Sequence, residues 1–303
     1  MSGQSERKQL GRRRFLQSLF GLKADTQDQR RQPTADDPSS FFWCSLENGQ
    51  VAFPTGAHVP AATAGSIFHV VTAAALMETL PKFKAITYEC NGTICLDGKE
   101  YRCTCAHGVL DVTHALGVSC EVFFAQSGQS LTSRCLFDYA SRFGLDRPAA
   151  GYAPKQFPAH PKFSAVEYAL GQAPDLVPNA LQLLRLVAIV GLTREPPTMH
   201  NAAEEASTER SSFSDLAPET WAILKDGLRM NGRTGVPAQL DPEDILGLAV
   251  SSTVDHNRQT IIVAGYFPHN APRYAFSFAS PAHLGSAAAL IQAKSFLFAA
   301  EWP

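Results

Sequence analysis

The chain has 303 residues, 45% of them hydrophobic and 18% charged, which suits one large globular domain or two small ones and excludes a disordered chain. Lys and Arg number 26 against 28 Asp and Glu, a net charge of −2. The charge is uneven: residues 1–31 hold eight Lys/Arg and three Asp/Glu, a local +5, so the remainder carries −7 and offers no basic face to nucleic acid.

Residues 1–24 include Gly11-Arg12-Arg13-Arg14-Phe15-Leu16-Gln17, which looks like the core of a twin-arginine export signal. Such a signal needs an apolar stretch of about 7–15 residues after the arginines, and here Lys23 and Asp25 cut it short. A weak export signal and a short basic amphipathic helix, able to touch an anionic membrane surface, both remain open. Residues 25–40 are polar, contain two prolines and read as a flexible linker. No apolar run in the chain is long enough to cross a membrane as a helix.

Residues 41–303 form the body. Residues 41–53 read as two short strands around Asn48-Gly49. An alanine-rich apolar helix follows Ala64-Gly65-Ser66 and ends before Pro81. His69 lies three residues after Ser66, so the two side chains share a helix face. Residues 86–106 read as a second hairpin with Asp97-Gly98 at its turn. Helices are expected at 110–117, 121–127, 131–143 and 179–190, separated by loops rich in Pro and Gly. A polar surface loop over 194–215 and a helix at 218–230 come next. Apolar β-branched runs at 245–253, 260–267 and 273–279 read as adjacent strands, and a helix at 285–300 closes the chain. Strands at both ends with helices between them predict an α+β fold, an antiparallel sheet flanked by helices with an all-helical lobe. The cleft between the two would carry the site.

Of seven cysteines, Cys90, Cys95, Cys103 and Cys105 fall within sixteen residues, which favours either an oxidising compartment or a metal. Their spacing, Cys-x4-Cys-x7-Cys-x-Cys, is not a common zinc pattern, even with His107 or His114 helping. The simpler expectation is a hairpin disulfide, Cys90 with Cys105 or, through a bulge, with Cys103. No metal and no cofactor is expected.

Six segments in order resemble the transpeptidase domain of penicillin-binding proteins. They are Ala64-Gly65-Ser66-Ile67-Phe68-His69, Cys90-Asn91-Gly92 and Cys103 with His107-Gly108-Val109-Leu110-Asp111, Ala115-Leu116-Gly117-Val118-Ser119-Cys120-Glu121, Phe143-Gly144-Leu145, Gly171-Gln172 with Pro178-Asn179-Ala180-Leu181-Gln182, and Ala264-Gly265-Tyr266-Phe267-Pro268. The resemblance spans about residues 41–303 and implies the β-lactamase/transpeptidase-like fold. It implies that Ser66 attacks a D-alanyl carbonyl of a peptidoglycan stem peptide, or a β-lactam, and that Ser119 relays a proton. Cys120 sits where the family also places a cysteine and is expected to pack rather than attack.

The chemistry departs from the family pattern in three places. His69 stands for the lysine of Ser-x-x-Lys. Glu121 stands for the asparagine of Ser-x-Asn. Leu248, Ala249 and Val250 stand for Lys-Thr-Gly, with Ser251 keeping a hydroxyl after them. An anion at Glu121 and the missing cation at Leu248 would repel a substrate carboxylate rather than attract it. The resemblance therefore implies a penicillin-binding transpeptidase-like protein of peptidoglycan metabolism with weakened catalysis and a binding or scaffolding role, a pseudoenzyme. The alternative is an active serine acyl-transfer enzyme, a D,D-peptidase or β-lactamase-like hydrolase, with Ser66 as nucleophile and His69 as base, its acylation rate rising near pH 6 to 7. Glu121 could then orient His69 as a triad acid does. The partners implied are a stem peptide or β-lactam and a cell-wall protein. The place implied is the periplasm or cell envelope, with the cytoplasm left open by the weak signal.

Overall fold

The computed structural model describes residues 40–52, 59–80, 82–201, 216–234, 249–255 and 260–281, with Gln292, Ala293 and Leu297. The twin-arginine-like segment, nearly all of the linker, Leu248 and most of the expected closing helix lie outside the described residues.

The main sheet has six strands. They are β1 (Ser40–Ser45), β2 (Gln50–Ala52), β7 (His200–Asn201), β8 (Ala249–Asp255), β9 (Thr260–Phe267) and β10 (Tyr274–Pro281), in the order β7-β2-β1-β10-β9-β8. The first strand thus lies beside the last: Phe42 faces Ser277 and Cys44 faces Ala275. Every pairing is antiparallel except β2 with β7. The β7 pairing differs from the surface loop expected over 194–215. Its two residues add a parallel edge, the His200 amide donating to the Gly49 carbonyl at 3.1 Å, and two residues give no periodicity to read.

β9 is buried from Ile261 to Phe267 without alternation, so both faces of the sheet are covered there. Helix α6 (Ala180–Leu192) packs against β1, β9 and β10. Eleven of its thirteen residues are buried, which makes it a core element rather than an amphipathic surface helix. Its start is fixed by a reciprocal cap. The Asn179 side chain accepts from the Leu181 and Gln182 amides, and the Gln182 side chain accepts from the Asn179 amide at 2.8 Å. The Gln182 amide group also donates to the carbonyl of Tyr152 at 2.7 Å, so this motif anchors the loop before it.

The helical lobe forms around α1 (His69–Thr79), in which every residue from His69 to Leu76 is buried. α2 (Val112–Gly117), α3 (Glu121–Gly128), α4 (Ser133–Arg142), α5 (Ala165–Ala169) and α7 (Pro218–Thr234) all pack on it. Beside the lobe lie two small two-stranded sheets. β4 (Thr93–Leu96) pairs with β5 (Lys99–Arg102), and β3 (Tyr88–Cys90) pairs with β6 (Gly108–Leu110). The turn at Asp97-Gly98 forms as expected, with φ of 50° and 78°, the left-handed pair that suits a tight hairpin.

One expectation fails here. Cys90 does not lie in that hairpin. β3 leaves it and pairs with β6, so Cys90 faces Gly108, while Cys95 faces Glu100 inside the hairpin. Cys105 is exposed, away from Cys90, whereas the Cys90 and Cys103 sulphurs lie 3.7 Å apart as thiols. The reason is length: the hairpin is spent in four residues on each side, and the chain beyond it folds onto α3 instead.

Candidate active site and thiol cluster

Ser66 lies in the single 3-10 turn Gly65–Phe68 that leads into α1, and is partly exposed. No side chain caps this turn. A neighbouring loop holds it instead: the Gly65 amide donates to the Gly171 carbonyl at 2.9 Å. Gly171 has φ of 64°, and a Cβ there would lie 2.3 Å from the Gly65 oxygen, so only glycine permits the approach. The Thr72 hydroxyl adds a second tie, donating to the Ala169 carbonyl at 2.8 Å. The Gly171-Gln172 motif is therefore a brace for the serine turn, a role its sequence does not announce.

β8 packs against the same turn. The strand set against Lys-Thr-Gly thus runs beside Ser66. Val250 pairs with Gly265 and Ser251 with Ala264.

His69 opens α1 and is 1% exposed. Its ring stacks on Phe124 of α3, with centroids 4.1 Å apart and planes 16° from parallel. Neither ring nitrogen has a hydrogen-bond partner among the described residues. Burial pushes its pKa down to about 3, because a charged imidazole there would lose its water and gain no partner. The geometry brings His69 to Phe124, not into hydrogen bonding with Glu121. A triad-like Glu121–His69 bond is absent among the described residues. Phe124 is the residue the sequence reading missed, although helix spacing from Cys120 could have placed it one turn further along the same face.

Ser119 sits at the turn between α2 and α3 with φ of 53°. Its amide donates to the Leu116 carbonyl at 3.2 Å, and the Cys120 amide to that of Ala115 at 2.9 Å, which ends α2. Cys120 then caps α3, its sulphur accepting from the Phe123 amide at 3.4 Å. Glu121 is the first residue of α3, where the helix dipole favours an anion. Burial first, and the Cys103 sulphur second, nevertheless push its pKa up to about 7.

The Cys120 sulphur belongs to a cluster with Cys90, Cys103 and His107, whose donor atoms all lie within 4.8 Å of one another. Cys90 Sγ is 3.7 Å from Cys103 Sγ and 3.5 Å from His107 Nδ1, and Cys103 Sγ is 3.6 Å from Cys120 Sγ. Cys90 and Cys120 are buried, and Cys103 and His107 half-buried. The Cys103 thiol is held below its ordinary range, chiefly by its hydrogen bond with Cys120. His114, the other histidine considered, is engaged elsewhere, its ring nitrogen 2.8 Å from the Asp111 carboxylate. Cys95 and Cys105 are exposed and outside the cluster. These four residues are a set of donors able to hold a metal ion.

A family model described as the penicillin binding protein transpeptidase domain matches residues 46–297. No curated protein matches. Among solved structures, Pseudomonas aeruginosa PBP2 in complex with WCK 5153 superposes with a TM-score of 0.71 at 14% identity, covering 87% of this chain and 74% of that one. The transpeptidase domain of Burkholderia pseudomallei penicillin-binding protein 3 gives 0.68 at 15% identity, covering 86% and 88%. Helicobacter pylori PBP2 gives 0.68 at 14% identity, covering 86% of this chain and 60% of its own, and it has also been solved in a complex with MreC. At these identities the superpositions speak for the fold, and the family match covers most of the chain. The six-stranded sheet, the serine turn beside β8 and the helical lobe are those of a penicillin-binding protein transpeptidase domain, and this chain belongs to that family, a domain of cell-wall synthesis.

Proposed function

We propose that this domain has kept the transpeptidase architecture while losing most of its acylation chemistry, and that its role in wall synthesis is to bind a peptidoglycan stem peptide or a protein of the wall machinery. The observation that carries this reading is His69. The residue in the base position is stacked on Phe124 with both nitrogens unpartnered and its pKa near 3. A base that weak is poorly matched to taking a serine proton at neutral pH. Glu121 puts a carboxyl group, raised to a pKa of about 7, and Leu248 removes a cation where the family grips a substrate carboxylate. Helicobacter pylori PBP2, solved with MreC, is the precedent for a protein partner. Because this chain spans about 60% of that protein, the partner surface is part of the proposal. The cell envelope is the compartment that fits a wall ligand.

The test is covalent labelling by a fluorescent penicillin, with Ser66→Ala as control. The expected result is no Ser66-dependent label on the time scale of an active penicillin-binding protein. Rapid label that vanishes in Ser66→Ala would overturn the reading. The second reading, an active serine acyl-transfer enzyme, is favoured by the partial exposure of Ser66 beside β8. With the His69 pKa pushed down to about 3, deprotonation of His69 would contribute no rise in rate near pH 6 to 7, unlike a free imidazole.

A further inference from the structure

We propose that Asn231 of α7 is a positioning residue for the wall-ligand cleft, holding the Ser119 turn in its left-handed form and registering it against the helix of Ser66. That role rests on the reading above, in which the Ser119 turn belongs to the cleft that binds a stem peptide.

The Ser119 turn needs support from outside its own segment. α2 has six residues, and the last carbonyls of a helix have no partner within it. Ser119 follows with φ of 53°, a conformation that strains a residue carrying a side chain. Asn231 supplies the support. Its Nδ2 donates to the Leu116 carbonyl at 3.3 Å and to the Gly117 carbonyl at 3.2 Å. The Leu116 oxygen also accepts from the Ser119 amide at 3.2 Å, so one atom joins the asparagine to the turn. Two carbonyl oxygens can be met only by the NH2 end of the amide, which fixes its orientation. The side chain is 2% exposed, and its Oδ1 has no hydrogen-bond partner among the described residues. An apolar side chain would fill the space without a buried amide to satisfy, so packing alone does not call for asparagine here. A Cβ at Gly227 would lie 2.6 Å from Leu116 Cβ, so glycine lets α7 come close enough to α2 for the amide to reach.

α7 joins this turn to the rest of the cleft. It packs on α1, which follows the serine turn, on α2, which leads into Ser119, and on β8, which lies against the serine turn. Its buried polar side chains are Thr220 and Asn231. At one end, Glu78 of α1 accepts from the Thr220 hydroxyl and from the Ala217 amide, the latter at 2.9 Å. At the other end, Asn231 holds α2. Eleven residues, about 16 Å of helix, separate the two ties. The serine helix and the Ser119 turn therefore share one strut, and Asn231 is its tie at the Ser119 end.

The experiment compares the full wild-type chain with Asn231→Leu, which keeps the volume and removes the donor. Amide exchange is followed residue by residue by nuclear magnetic resonance, and binding of a muramyl pentapeptide ending in D-alanyl-D-alanine by calorimetry. Exchange at the Ser119 and Cys120 amides should rise about tenfold, while the core amides of α6 change by less than about threefold. Affinity for the pentapeptide should fall about tenfold, the scale of one lost buried hydrogen bond. Equal acceleration at Ser119 and in α6 would make Asn231 an ordinary stabilising residue and overturn the proposal, as would an unchanged affinity. If the wild type does not bind the pentapeptide, the stem-peptide reading of the cleft fails, and the exchange ratio decides whether Asn231 holds the turn. If Asn231→Leu does not fold, the wild type decides: the Asn231 NH2 protons should exchange slowly and shift together with the Ser119 amide when the pentapeptide is added. Fast exchange of that NH2 group, or a shift at Ser119 without one at Asn231, would overturn the assignment.

Discussion

Replacing His69 by Phe tests the central feature of the serine site. Burial lowers the pKa of His69 from 6.5 to about 3. Between those values the unfolded chain binds a proton on this residue and the folded chain does not. Stability from a neutral buried histidine is therefore fully present above pH 6.5 and is lost as pH falls toward 3. At pH 5 the loss is about 2 kcal/mol, from 1.36 kcal/mol per pH unit over the interval below 6.5. His69→Phe removes the titration and keeps an aromatic ring against Phe124. It also removes two unpartnered buried nitrogens, so at pH 7.5 the variant should be no less stable than wild type beyond about 1 kcal/mol of packing strain. Urea unfolding of both proteins at pH 7.5 and 5.0 gives a difference of differences in which the titration of all other groups, common to both, cancels. The variant is expected to gain about 2 kcal/mol on wild type between the two pH values. A wild-type-to-variant difference that stays constant with pH would show that the imidazole protonates normally in the folded protein, and the reasoning about its environment would be refuted.

Gly171→Ala should move the serine turn, because the new methyl meets the Gly65 carbonyl and the backbone sits at positive φ. We expect a loss of about 2 kcal/mol or more in denaturant unfolding, with a changed amide spectrum for Gly65 to Phe68, and a neutral result would refute the brace. Tyr168→Phe removes the hydroxyl that donates to both oxygens of Asp175 at 2.8 and 2.7 Å. The carboxylate is 2% exposed, so about 3 kcal/mol should be lost in thermal unfolding at pH 7, and a change below about 0.5 kcal/mol would show that another group takes over.

Much of the fold was legible in the sequence because its signals are local. Asp97-Gly98 marks a hairpin because both residues tolerate positive φ, and the turn forms there. Asn179 three residues before Gln182 marks a helix start, and the reciprocal cap is present. The apolar runs near 260–267 and 273–279 become β9 and β10 because β-branched and aromatic side chains fit a covered sheet. Three short elements were not legible. β7 has two residues, β6 three and α5 five, too few for a period to show.

The sequence by itself determined the order of the main strands and helices and the serine turn at the head of an apolar helix. Only the tertiary structure decided what those residues face. His69 shares a helix face with Ser66, yet the packing of α3 gives its ring to Phe124 and leaves its nitrogens without a partner among the described residues. The cysteine spacing favoured a hairpin disulfide, yet the pairing of β3 with β6 gathers Cys90, Cys103 and His107 around Cys120. The difference is physical. Turn chemistry and periodicity act over a few residues and leave a mark in the chain. A donor set drawn from four segments, and the dielectric around one imidazole, exist only once those segments pack.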